Sequence, residues 1–221
     1  MRSKIPDLSM ALAGRFADHH ALMCKLHLEH TGHLDDMIAC LDAQAEAMMV
    51  PFAQPRRLMT TIPGIGRKAA AEIISEIGAG PSEFFPTGAH LASWAGLCPG
   101  NHESAGKRKH GKPRKASQHL KPLLVEAARA AVKTNGRLKA RYHRLVLRFG
   151  GYRSPAAKKK AIIAVAHTLI VIIWHVLVTS TPYTDLGPDF YTRRTDPEKE
   201  TQRLIAKLQA LGHTVTLAPV A

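Results

Sequence analysis

Ile62-Pro63-Gly64-Ile65-Gly66 opens the stretch of this 221-residue chain whose residue types are best placed to do chemistry, and that chemistry is phosphate binding. Arg67 and Lys68 follow it, and then an Ala-rich apolar run over 69–77. Two glycines in a tight turn let consecutive backbone N–H groups face outward at the start of a helix, where the positive end of the helix dipole meets an anion. Arg67 and Lys68 add full charge at the same place. The pattern reads as a helix-hairpin-helix that grips backbone rather than base sequence. An ordinary helix-turn-helix corner is the plainer alternative.

A second stretch, Asn101-His102-Glu103-Ser104-Ala105-Gly106-Lys107-Arg108-Lys109-His110-Gly111-Lys112, is too rich in Gly and charge for a core and predicts an exposed basic loop. Lys107, Arg108, Lys109 and Lys112, continued by Arg114 and Lys115, offer phosphate contacts. By residue type alone, Ser104 in such a loop is a hydroxyl that hydrogen-bonds a phosphate oxygen. Metal chemistry finds no comparable set. His27, His30 and His33 step by three, but the last drifts off the helix face and no cysteine or carboxylate completes a group. The ten acids of the first hundred residues, among them Asp7, Asp18, Asp35, Asp36 and Asp42, fall on helix-like segments with no strands to converge them. No metal ligand is assigned.

Charge supports a polyanionic partner. The chain carries 31 Lys+Arg against 17 Asp+Glu, a formal +14. Residues 101–160 hold 18 of the basic residues and only two acids, Glu103 and Glu126, so this window is +16 and the remaining 161 residues sum to −2. Basic residues kept for solubility alone would scatter; this concentration points to nucleic-acid contact. The window's few aromatics, Tyr142, Phe149 and Tyr152, favour phosphate contacts over base stacking. Three cysteines (Cys24, Cys40, Cys98) without a CxxC argue for a reducing compartment and against a disulfide scaffold. With no apolar signal in Met1–Pro6, a cytoplasmic location is expected.

The elements that must position these residues read as mainly α. Leu8, Leu12, Phe16, Leu22, Leu26, Leu34, Ile38, Leu41, Ala45 and Met48 recur at three- and four-residue steps, predicting helix over 8–50 with a break or kink at Gly32. Such a stripe suits packing or a coiled coil. Further helices are expected over 56–61, 69–77, 88–96, 116–132, 137–149, 157–179 and 197–211, and a short strand over 213–217. The domain reading is 1–54 as a helical assembly segment, 55–195 as the basic α-helical domain and 196–221 as a C-terminal helix and tail. Residues 161–184 contain no charged residue and follow Lys158-Lys159-Lys160, the look of a membrane span with a positive flank. His167, Thr168 and His175 within the run favour a buried core helix and no membrane.

The corner Ile62–Gly66, the run Leu91-Ala92-Ser93-Trp94-Ala95-Gly96-Leu97-Cys98-Pro99-Gly100, the stretch Asn101–Lys109 and the later Tyr183-Thr184-Asp185-Leu186-Gly187 together resemble one family. They are similar to the C-terminal part of the insertion-sequence transposases of the one-ten / one-sixteen / nine-oh-two type, recombinases guided by a bridge RNA. The resemblance implies that Ser104 is the nucleophile, attacking a backbone phosphate to form a phosphoserine link. Lys107, Arg108 and Lys109 would then offset charge on the phosphoryl oxygens. In the family the serine commonly precedes glycine directly; here Ala105 intervenes.

Full-length members of the family carry an N-terminal resolvase-like domain whose acids bind divalent metal. No counterpart is read here, so Mg²⁺ is expected only with that domain, and this chain is expected to bind no cofactor itself. The resemblance further implies double-stranded DNA as partner (element ends and target), a guide RNA, and homo-oligomerisation through residues 8–50. Two functions follow: a transposase fragment that uses Ser104, or a non-catalytic helix-hairpin-helix binder that holds element DNA or RNA or regulates an intact enzyme.

Overall fold

The computed structural model describes residues 4–14, 16–100, 103–108, 116–193 and 196–217, and is mostly helical. The chain divides into two compact units, Met1–Pro51 and Phe52–Ala221. The first holds α1 (Ile5–Leu12) and α2 (Asp18–Met48). Neither helix buries a residue. The break expected at Gly32 lies instead at Gly14, whose φ of +74° is the left-handed geometry that ends a helix. Gly32 sits inside an uninterrupted α2, where an added Cβ would meet open space.

The second unit runs α3 (Ala53–Met59), α4 (Arg67–Ile77), α5 (Gly88–Trp94), a hairpin of β1 (Glu103–Ser104) and β2 (Lys107–Arg108), then α6 (Leu120–Ala131), α7 (Arg137–Arg148), α8 (Pro155–Thr179), α9 (Phe190–Arg193) and α10 (Pro197–Ala210). α8 is its axis. The Ser154 hydroxyl accepts the Ala157 N–H at 3.3 Å and Pro155 occupies the first turn, which fixes where the helix starts. Its length and apolarity would allow a membrane crossing. In the fold, however, α3, α5, α6 and α7 surround it, and Ala161, Val165, Leu169, Ile170 and Ile173 are fully buried among them. Burial on several sides explains why its apolar residues show no single stripe. Trp174 donates its indole N–H to the Phe85 carbonyl at 2.9 Å, tying α8 to the α4–α5 connection.

α6 begins four residues later than its composition predicts. The Ser117 hydroxyl accepts the N–H groups of His119 and Leu120 and donates to the Glu76 carboxylate at 3.1 Å, so residues 116–119 form an entry turn anchored on α4. The strand expected over 213–217 is absent: these residues are irregular coil. A strand needs an edge to pair with, and among the described residues only β1 and β2 offer one, to each other.

Candidate nucleic-acid interface

The α3–α4 corner is built from the core outward. Met59, Ile62 and Ile65 are buried beneath it. The Ile65 N–H reaches the Ile62 carbonyl at 3.1 Å, closing a turn with Pro63 second and Gly64 third at φ +85°, the residue choice of a type II turn. Gly64 also has a packing reason: a Cβ there would fall 2.2 Å from the Ala127 carbonyl oxygen and 2.7 Å from the Ala131 nitrogen of α6. Gly66 is different. It caps α4 in extended geometry, exposed, with nothing near an added Cβ. Arg67 and Lys68 are exposed on the first turn, and a helix begins with N–H groups that have no acceptor within the helix. Gly64 seats the corner on α6, while Gly66, Arg67 and Lys68 face outward.

Ser104 stands at the end of a strand, not in a plain loop. It pairs with Lys107, and Glu103 with Arg108, across a turn made by Ala105 (φ +50°) and Gly106 (φ +72°). Two successive left-handed residues form the two-residue hairpin connection whose twist matches the strands. Ala105 bears a Cβ in that region, which costs about 1–2 kcal/mol. The Ser104 hydroxyl is exposed, and among the described residues no acid or base hydrogen-bonds it. Cross-strand pairing places Lys107 beside it, with Cβ atoms on the order of 5 Å apart. Among the described residues the hairpin's substantial packing is between its own strands. Lys109, Lys112, Arg114 and Lys115 lie outside the described residues.

A third arrangement escaped the sequence reading. Asp185 accepts the Arg137 N–H (3.0 Å) and the Gly187 N–H (2.7 Å) on one oxygen and the Tyr183 hydroxyl (3.1 Å) on the other. It thereby caps α7, and a Cβ on Gly136 would come 2.6 Å from its carboxylate. The Tyr183 N–H donates to the Thr61 hydroxyl at 2.8 Å, so segment 183–187 runs from the α3–α4 turn to the head of α7. Burial, then the neighbouring Asp185 charge, pushes the Tyr183 hydroxyl up to about 12. Asp185-x-Gly187 is a turn signal that could have suggested a local cap, but its long-range partner could not be read from it.

α7 also presents Arg137, Arg141 and Arg144. The Arg137 guanidinium lies 4.8 Å from the Phe190 ring centroid and that of Arg144 lies 5.1 Å from the Tyr191 ring, while Arg141 donates to the Tyr191 hydroxyl at 3.4 Å. Burial pushes the Tyr191 hydroxyl up, but hydrogen bonds from Arg141 and Arg137 outweigh it and leave the group below its ordinary value. Burial, then the Arg141 charge, holds His167 on α8 below the usual imidazole range. Among the described residues no three His, Cys, Asp or Glu side chains converge as a metal set.

Known proteins are similar to this chain in sequence. A sequence model of the Transposase IS116/IS110/IS902 family matches residues 56–143, from α3 into α7. The chain is 36% identical over 107 residues to the insertion element IS110 uncharacterized 43.6 kDa protein of Streptomyces coelicolor, covering 47% of this chain and 25% of that protein. It is 33% identical over 155 residues to the pilin gene-inverting protein of Moraxella bovis, covering 68% and 46% respectively. The corresponding protein of Moraxella lacunata matches to the same extent. The chain therefore spans less than half the length of these relatives. Residues 56–143, which contain the α3–α4 corner, the hairpin and α6, therefore correspond to a transposase region of the IS116/IS110/IS902 family.

Proposed function

We propose that this chain is the DNA-handling and nucleophile-bearing part of an insertion-sequence recombinase. The observation that carries the reading is Ser104, exposed at a hairpin tip beside Lys107 within the span that matches the transposase family. The Ser104 oxygen attacks a backbone phosphorus and forms a P–Oγ bond; the bond from phosphorus to one deoxyribose oxygen breaks, and that oxygen leaves as a hydroxyl after gaining a proton. The serine proton passes to a base, which the described residues do not supply. Rejoining is the reverse attack by a new strand's hydroxyl, which releases serine, so no bond energy is lost. Lys107 and Arg108 offset the charge that grows on the phosphoryl oxygens.

Gly66, Arg67 and Lys68, as a helix-hairpin-helix, and the segment containing Lys109, Lys112, Arg114 and Lys115 hold the duplex by its phosphates. A guide RNA supplies target choice, and Mg²⁺ enters with an acidic domain on a longer or separate chain. Residues 8–50 assemble copies of the chain: Leu22, Leu26, Leu34, Ile38 and Leu41 are all exposed on α2. The protein works in the cytoplasm, with α8 as core helix.

A second reading, a non-catalytic nucleic-acid binder, is favoured by the lack of any base on the Ser104 hydroxyl and of any metal set among the described residues. Covalent capture separates the two. The chain is mixed with labelled element-end DNA and Mg²⁺, with and without a supplied acidic domain and guide RNA, and run on a denaturing gel beside Ser104→Ala. A protein–DNA band that vanishes in Ser104→Ala supports the nucleophile. Salt-sensitive binding with no adduct under any condition supports the binder.

A further inference from the structure

Arg137, Arg141 and Arg144 lie one turn apart on one face of α7, and among the described residues no carboxylate reaches ion-pair distance of their guanidinium groups. Asp185, which caps this helix, accepts N–H groups and the Tyr183 hydroxyl instead. Among the described residues, the Nε–H groups of Arg137 and Arg141 are buried and have no acceptor. Aromatic rings hold the planes: Phe190 lies against Arg137, Tyr191 against Arg144, and the Tyr191 hydroxyl bonds Arg141. A guanidinium stacked on a ring keeps its in-plane N–H edge available for an oxyanion. Three like charges on one helix face and buried N–H groups without acceptors are relieved by the same ligand, an anion.

We infer that Arg137, Arg141 and Arg144, with the Tyr191 hydroxyl, form a further station for a nucleic-acid phosphodiester, separate from the α3–α4 corner and the Ser104 hairpin. The exposure supports a long polymer over an engulfed small anion: Arg144 is exposed while Arg137 and Arg141 are half-buried, so the ligand is met from one open side. α9, only four residues long, carries both rings, and a small shift of it opens the Nε edges. Asp185 fixes the head of α7, and the Tyr183 bond to Thr61 ties that segment to the corner, so one unit presents both phosphate-binding places. The inference rests on the nucleic-acid reading above and adds residues to it.

The test uses the full chain with a short labelled DNA duplex and, separately, an RNA duplex of equal length, across a salt series. Replacing Arg141 and Arg144 together by Gln should weaken binding roughly tenfold near 0.1 M salt and flatten the log K against log salt slope by about 2. Loss on one polymer alone identifies which backbone is held. Arg67→Gln with Lys68→Gln is the comparison pair. If that pair weakens binding while Arg141→Gln/Arg144→Gln leaves affinity and slope unchanged on both polymers, this inference is overturned and the nucleic-acid reading stands. If the unaltered chain binds neither polymer, both fall. Phenylglyoxal labelling of the unaltered chain guards against a misfolded variant: nucleic acid should slow modification of Arg144 several-fold, and equal rates with and without it would sink the station.

Discussion

Single residues separate roles that look alike in the sequence. Gly64 and Gly66 belong to one motif, yet an added Cβ collides with the α6 backbone at the first and meets nothing at the second. Gly64→Ala should therefore destabilise the chain by roughly 2–4 kcal/mol, from overpacking together with left-handed strain. Gly66→Ala should cost less than about 1 kcal/mol, the loss of a tolerated cap residue. Urea melts of the two variants side by side check this, and equal losses would contradict the packing of the corner on α6. Tyr183 gives a pH signature. Its hydroxyl titrates near 12 in the fold, against about 10 when unfolded. The protonated form is thus favoured by folding: the contribution is intact below pH 10 and disappears as pH rises from about 10 to about 12. Tyr183→Phe should flatten the stability–pH curve in that window relative to the unaltered chain.

Elements show where propensity sufficed and where tertiary context overruled it. Helices α4, α7, α8 and α10 fall within two residues of their expected bounds, because apolar spacing and start signals such as Ser154-Pro155 are local. The long α2 is continuous through Gly32, so Gly32→Ala should raise helix stability by about 1 kcal/mol, seen as a higher melting point of the helical circular-dichroism signal. A lowered melting point would mean that Gly32 needs a conformation alanine cannot take. The hairpin around Ser104 was hidden for a different reason. A two-residue strand has no periodicity, and Ala105 is an unusual occupant of a left-handed turn position. Ala105→Gly should relieve its strain and raise hydrogen-exchange protection in residues 103–108.

At the scale of the molecule, charge and apolarity are sorted between units. Met1–Pro51 carries four Lys+Arg against seven acids, a net −3, which leaves +17 on Phe52–Ala221. On the proposed reading the second unit holds the phosphates, and its affinity for duplex DNA should fall by about a hundredfold or more between about 50 and 200 mM salt. A flat response would remove the electrostatic reading of the basic window. α8 supplies the core of the same unit. Ile170→Ala should cost about 2–5 kcal/mol in urea unfolding, as expected of a side chain enclosed by neighbouring helices.

The mainly α class, the basic window, the α3–α4 corner and the likeness to transposases all reside in local pattern, and the sequence alone determines them: residue spacing sets helices, and composition sets charge. Tertiary structure decided the rest. It seated Gly64 on α6, surrounded α8 with helices, and brought Asp185 across 48 residues to cap α7. It also gathered three arginines under two rings of α9. The arginines recur at helical spacing, but every one of these contacts joins elements distant in the chain. Each depends on which helices lie side by side, and close packing of the core settles that only once the whole unit has formed.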